Sequence, residues 1–529
     1  MNVASLPNDP AILKALFADM SAEHEAVVAE HEAVVADKNG YISQLEEQVR
    51  LFKAIVFQAK SERQALPGKD ETQYWLFDES EMFAGDADEP EDVAVPAHSR
   101  KKKGRRPIPA EYPRVEVIHD IPEEDKVCDC GCELTRIGEE VSEKLDFIPA
   151  KVQVVRHIRP KYACRACEGV EDDGPTVRTA PMPPQIIPQG IVTPGLLAYV
   201  LVSKFVDGLP FYRQQNMFGR LGVDISRATM SGWALRAAKA CEPLMDLLHE
   251  EIRSGPVINM DETPVQVLRE PGRKNTTKSY MWVARGGPPE RPVVLFHYDP
   301  GRSGKVAAEL VGDFQGYLQT DGYAGYNALG EREGIIHVGC LVHVRRKFMD
   351  VLKSGSKKNK GGTAQTVVDL IRKLYYLEKQ ARELDPDQVR QLRQERSQPL
   401  MEKIKALLVE RQKTTPPKSL LGKAIFYALG QWLRIEAYLE DGRLQPDNNV
   451  AENAIRPFAV GRKNWLFSGS PRGARASAAM YSLIETAKAN GHDPLHYLHL
   501  VFEKLPYAKS RQDLKALLPQ HLDSKNTPA

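Results

Sequence analysis

The sequence lacks any apolar run approaching the length of a membrane-spanning helix, so no membrane partner is expected. Its opening residues lack the charged-then-apolar order of a secretory signal. It also lacks the spread of cysteines that marks a secreted disulfide framework. Of seven cysteines, five are packed between residues 128 and 167, which points to a reducing cytoplasm and a metal site. No charge of one sign dominates. A net charge of +1 excludes a polycation, so the placement of charge matters more than its sum. What is present is length: 529 residues, 42% of them hydrophobic, are enough for three or four domains with ordinary buried cores.

The first 64 residues read as a helical arm. Residues 22–28 are repeated as 29–35, and Val28, Val35, Ile42, Val49 and Val56 fall seven apart. Leu45 and Phe52 follow Ile42 and Val49 by three, as in a coiled-coil seam. This predicts self-association, at least a dimer; the alternative is one amphipathic helix packed on its own domain. Residues 65–110 read as a disordered linker, with ten acids and no Lys or Arg across 70–92. Six bases in seven follow: Arg100, Lys101, Lys102, Lys103, Arg105 and Arg106, a phosphate-binding arm that releases counterions from DNA.

Residues 111–180 read as a zinc-binding module. Cys128, Cys130 and Cys132 alternate, and Cys164 and Cys167 form a C-x-x-C knuckle. Tetrahedral Zn²⁺ takes four soft ligands, so four of these five are expected to bind it. Cys241 and Cys340 stand alone and read as buried small residues. Residues 181–254 read as a helical DNA-binding domain. Helices from Pro194 and from about Pro210 precede a turn at Gly222, and Ser226 caps a helix carrying Arg227, Trp233 and Arg236. This order suits a helix-turn-helix with a recognition helix, or a plain bundle with Trp233 in its core.

Residues 255–361 and 441–490 read as two parts of one catalytic domain. Val257–Met260, Val265–Leu268, Tyr280–Ala284 and Val293–His297 read as strands, Lys305–Leu310 as a helix, and Gly316–Thr320 and Ile335–Val338 as further strands. Taken as three antiparallel strands, a helix and two more strands, this is the order of a ribonuclease-H-like fold, in which the first and fourth strands are neighbours. Asp261 and Asp321, at the ends of those strands, would then lie side by side. Glu452, on a helix that Pro457 is expected to stop, completes the set. Asn449 and Arg456 share its face, and Arg462, Lys463 and Arg472 follow. Hard divalent cations take carboxylate oxygens, and a metal pair about 3.5–4 Å apart activates the attacking and leaving oxygens of a phosphodiester. His343, Arg345, Arg346 and Lys347 are expected to face DNA from the helix after the fifth strand. Cys340 and His343 form C-x-x-H, but no second pair is near in sequence. Tyr323 and Tyr326 read as packing beside the site rather than as nucleophiles. Residues 362–440, with Leu370, Leu374, Leu377, Ile404, Leu407 and Leu408 at helical spacing, read as a helical insertion, and 491–529 as a C-terminal helical extension and tail.

Met-Asp-Glu-Thr-Pro-Val-Gln-Val, Thr-Asp-Gly-Tyr-Ala-Gly-Tyr-Asn, Cys-Leu-Val-His-Val-Arg-Arg-Lys-Phe and the segment around Glu452 resemble the insertion-sequence-66 family of transposases over nearly the whole chain. The resemblance implies an Asp-Asp-Glu transposase using Mg²⁺ (or Mn²⁺), its triad falling on Asp261, Asp321 and Glu452. The expected function is binding of an element's terminal inverted repeats, strand cleavage and strand transfer in a bacterial, nucleoid-associated setting. The alternatives are a ribonuclease-H-like DNA nuclease and an inactive DNA-binding regulator. The family also implies two small accessory proteins of the same element. Its zinc module usually opens with C-x-x-C, where this chain has alternating cysteines. The expected fold class is multidomain α+β.

Overall fold

The computed structural model describes residues 152–163, 177–354 and 362–522, with scattered positions between 10 and 38. The chain divides into two compact units, residues 78–180 and the remainder. In the smaller unit, β1 (Lys161–Ala163) pairs antiparallel with β2 (Val177–Thr179), and Arg159 donates to the Ala180 carbonyl at 3.0 Å. The described residues between 10 and 38 are helical and exposed. The basic run from Arg100 to Arg106, all five candidate zinc cysteines, and the heptad positions from Ile42 onward lie outside the described residues.

The larger unit opens with helices. Thr193 caps α1 (Pro194–Phe205), its side chain accepting from Leu196 N, and Pro194 sits where its missing N–H costs nothing. α2 (Phe211–Arg220) ends at Leu221, and Gly222 takes the positive φ of 79° that the turn requires. Ser226 then caps α3 (Arg227–Ala240) by accepting from Thr229 N at 3.1 Å. α4 (Glu242–Glu251) leads into the sheet. Trp233 is buried between these helices, as both readings of the segment allow.

β3 (Val257–Gln266) pairs antiparallel with β4 (Lys278–Gly286), which pairs antiparallel with β5 (Val293–Asp299). α5 (Gly304–Val311) returns the chain to β6 (Gly316–Gln319), parallel to β3, and β7 (Ile335–Val338) adds parallel beyond it. The order is β5-β4-β3-β6-β7. One expectation is corrected: Val257–Met260 and Val265–Leu268 are not separate strands. They form one ten-residue strand, paired with β4 from Asn259 to Gln266, so Asp261 lies within β3 rather than at its end.

α6 (Leu341–Ser354) follows β7. α7 (Thr363–Gln380), α8 (Pro386–Leu392), a π-helical turn (Arg393–Ser397), α9 (Gln398–Gln412) and α10 (Leu420–Gly430) come next. α7, α9 and α10 share a core with α6 containing Leu341, Phe348, Leu370, Leu374, Ile404 and Leu408. A second core joins the sheet to α1, α3, α4, α11 (Asn449–Trp465), α12 (Pro471–Ala489) and α13 (Pro494–Lys504).

α12 solves a problem at the sheet edge. Among the described residues no strand pairs with the outer side of β5, and unpaired strand N–H groups are costly when buried. Ser482 Oγ accepts from Phe296 N at 2.8 Å, and Thr486 Oγ1 accepts from Val294 N at 3.0 Å and donates to Val294 O at 3.0 Å. Buried Ala474, Ala478 and Ala487 leave room for this close approach.

Candidate active site

The sheet register brings two acids level. Asn259 of β3 lies opposite Gln319 of β6, where the parallel ladder ends. Asp261 and Asp321 each stand two residues further on. A period of two keeps each on the face of its preceding amide residue, so the acids emerge from one end of the β3–β6 pair on the same side. Asp261 is half-buried and accepts from Glu262 N at 2.9 Å; Asp321 accepts from Tyr323 N at 2.9 Å. Glu452, in the first turn of α11, is 8% exposed and meets His343 Nε2 of α6 at 3.3 Å.

The charges of these groups act on one another. Burial pushes the Asp261 carboxyl well above its usual range, and the charges of Glu262, Glu452 and Asp321 push it further. Burial would also raise Glu452, but the His343 hydrogen bond and the charges of His343 and Arg346 outweigh it and hold Glu452 below its usual range. The repulsion felt at Asp261 is one that a divalent cation would relieve, with His343 Nε2 and Cys340 Sγ standing beside Glu452.

Glu262 points to the other side of β3. Sequence reasoning gave it no role, yet it is the hub of a second cluster. Arg302 reaches it with Nε at 2.6 Å and Nη2 at 2.5 Å, and the Tyr326 hydroxyl donates to it. The Arg302 guanidinium stacks on the Tyr323 ring at 3.9 Å, and the Tyr323 hydroxyl donates to the Arg302 carbonyl. This braces the Asp321–Tyr326 loop against β3. Tyr326 is fully buried, in line with the packing role expected of it.

The ligand atoms of Cys340, His343 and Glu452 lie within 4.8 Å of one another. The C-x-x-H pair, isolated in sequence, thus gains a third neighbour in space. Burial pushes the Cys340 thiol well above its usual range, however, and Sγ already accepts from Asn448 N at 3.3 Å. Cys340 therefore acts here as a buried acceptor tying the start of α6 to that of α11.

Two expectations are corrected. Pro457 does not stop the helix: α11 continues to Trp465, because Phe458, Ala459 and Gly461 are buried and packing outweighs the lost hydrogen bond. Arg345 does not face solvent. It falls on the apolar stripe Leu341, Val344, Phe348 of α6 and is 8% exposed. Of the other candidate DNA contacts, Arg227, Arg236, Lys347, Lys463 and Arg472 are exposed. His343, Arg346, Asn449, Arg456 and Arg462 are half-buried. No helix among the described residues is long and apolar enough to cross a membrane.

Comparison with known proteins gives the family. The "Transposase IS66 family" model matches residues 189–476, the "zinc-finger binding domain of transposase IS66" 125–168, the "IS66 C-terminal element" 482–520, and the "Transposase C of IS166 homeodomain" 44–117. The class is therefore a transposase with zinc-finger and DNA-binding domains. The chain belongs to the IS66 transposase family. It is similar over most of its length to two proteins of Sinorhizobium fredii (strain NBRC 101917 / NGR234). Uncharacterized protein y4jD is 34% identical over 497 residues, covering 90% of this chain and 94% of the relative. Uncharacterized protein y4qI is 33% identical over 540 residues, covering 98% of each.

Proposed function

We propose that this chain is a ribonuclease-H-like transposase of the Asp-Asp-Glu type, which binds the terminal inverted repeats of its element, cleaves their strands and transfers them to target DNA. The observation that carries the reading is the level placement of Asp261 and Asp321, each two residues past the last pair of the parallel β3–β6 ladder, with the Glu452 charge acting on Asp261. The strand order β5-β4-β3-β6-β7 supports the fold assignment.

Asp261, Asp321 and Glu452 would hold Mg²⁺ or Mn²⁺; the all-carboxylate set and its mutual repulsion fit such ions. Ions held there would supply Lewis-acid activation of the attacking oxygen and charge stabilisation at the leaving one. The chain's own part is positional. His343 keeps Glu452 ionised, and the Arg302–Glu262–Tyr326 cluster fixes the loop that carries Asp321. The exposed Arg227, Arg236, Lys347, Lys463 and Arg472 contact phosphates, together with the Arg100–Arg106 arm. Four of Cys128, Cys130, Cys132, Cys164 and Cys167 hold Zn²⁺. The N-terminal arm pairs protomers, and two small proteins of the same element assist.

The test is to incubate the purified chain with DNA bearing its element's ends, target DNA and Mg²⁺, with and without those accessory proteins. Joined products support transposition. Cut but unjoined DNA in both settings would replace the reading with a nuclease, and metal-independent binding with no cutting would replace it with a DNA-binding regulator.

A further inference from the structure

Each of the three acids is preceded by a buried amide side chain, and that of Asn259 bonds to both of the others. Asn259 stands two residues before Asp261, Gln319 two before Asp321, and Asn448 four before Glu452. Their exposures are 7%, 1% and 1%. Asn259 Nδ2 donates to Gln319 Oε1 at 2.9 Å and to Asn448 Oδ1 at 3.2 Å. Asn448 Nδ2 donates to the Met260 carbonyl at 2.8 Å. Gln319 Nε2 donates to the carbonyls of Gln445, at 2.7 Å, and Gly339, at 3.3 Å. The network thus joins β3, β6, the end of β7 and the segment leading into α11.

We infer that Asn259, Gln319 and Asn448 are positioning residues that set the spacing of the three acids. The inference rests on the acid-triad reading and deepens it. Three features support it. First, Asn448 stands at the N-cap of α11, where an Asn side chain ordinarily bonds the helix's own N–H groups. Here it makes no such bond and reaches across to β3 instead. Second, its backbone carbonyl accepts from Glu452 N at 3.1 Å, so a shift of Asn448 moves Glu452 directly. Third, Asn259 and Gln319 interrupt apolar strand runs, Val-Ile-Asn-Met and Tyr-Leu-Gln-Thr. Apolar residues there would pack without the desolvation cost of amides.

The choice of amides has a physical reason. Mutually repelling carboxylates push their segments apart. A carboxylate in the layer below would add to that repulsion, and an apolar contact has no preferred direction. Neutral amides that donate and accept at fixed angles hold three segments in one geometry, and a satisfied buried network specifies that geometry strongly. Groups that orient metal ligands typically change metal affinity by about 10–100-fold when removed.

The experiment is a Mn²⁺ titration of the full-length chain, with free Mn²⁺ read by electron paramagnetic resonance and a melting curve for every protein. Asp261→Ala identifies the ion held by the acids. Gln319→Met, Asn448→Ala and the milder Asn259→Ser are then compared, so that the measurement survives if one of them fails to fold. The expected result is Mn²⁺ binding weakened by about 10–100-fold in folded protein. A purely structural role would lower the melting temperature and leave the affinity of folded protein unchanged. That result, with Asp261→Ala losing the ion, overturns this inference alone. If Asp261→Ala binds Mn²⁺ as the parent does, the acid-triad reading fails and this inference falls with it.

Discussion

Arg393 gives the sharpest test of how the helical insertion is fastened to the segment leading to Glu452. It lies in the π-helical turn, with its side chain 2% exposed, and every guanidinium N–H is used. Nε and Nη2 bond the two Glu378 oxygens at 2.9 and 2.6 Å. Nη1 donates to the carbonyls of Tyr438 and Asp441, both at 2.9 Å, and Nη2 to that of Leu444 at 2.8 Å. Arg393→Met strands the Glu378 carboxylate, whose side chain is 14% exposed, and orphans three carbonyls. Removing one partner of a buried ion pair costs about 3–5 kcal/mol. At about 1.4 kcal/mol per decade this is roughly 10²–10³·⁵-fold faster exchange of the amides in α7 and α9 if they open as one unit. Hydrogen exchange read by mass spectrometry tests it directly. Arg393→Lys is expected to fall near Met, because an ammonium cannot reproduce five fixed donors. The double variant with Glu378→Leu should recover the part due to the stranded charge. Protection of α7 and α9 unchanged in Arg393→Met would refute the account of how the insertion is held.

Three further outcomes are expected. Burial, with the nearby Arg434 charge, lowers the His337 pKa from 6.5 to about 4, so the folded protein keeps it neutral where the unfolded chain protonates it. Its stabilisation is present above about pH 6.5 and is lost as pH falls through about 4. At about 1.4 kcal/mol per unit this comes to roughly 3 kcal/mol, and denaturant midpoints of the parent and of His337→Gln across that window check it. Thr486→Val, nearly isosteric, should cost about 1–3 kcal/mol by orphaning the β5 edge groups of Val294, measured as a lower unfolding midpoint; no change would mean those groups find other partners. For the zinc module, atomic absorption is expected to give one Zn²⁺ per chain and a lower content in Cys164→Ser or Cys167→Ser; full content in both would remove that knuckle from the site.

What the sequence revealed depended on distance along the chain. Strand and helix signals are local, so the helix opening at Pro194, the cap at Ser226 and the helical spacing of Leu370, Leu374 and Leu377 were legible, while the β3–β6 neighbourhood followed from the order of the elements. The acids stood out because each Asp closes a strand-like run and Glu452 sits among amides and bases. The groups that support them were hidden. Asn259 meets Asn448 across 189 residues and Glu262 meets Arg302 across 40, and neither spacing leaves a periodic trace. The available signal was negative: a polar residue inside an apolar run, as at Asn259 and Gln319. Arg345 misled because a basic cluster reads as surface, whereas the 3.6-residue stripe of α6 puts one of its members inside. Pro457 misled because local propensity yields to a helix face buried against the sheet.

The central claim is that Asp261, Asp321 and Glu452 act as one metal-binding set for strand cleavage and transfer. The most direct measurement is Mg²⁺-dependent strand transfer by Asp261→Asn, Asp321→Asn and Glu452→Gln, run beside terminal-repeat binding by the same proteins. The account predicts that each substitution abolishes transfer while terminal-repeat binding persists. Parental transfer by any one of the three would contradict it and remove that residue from the set.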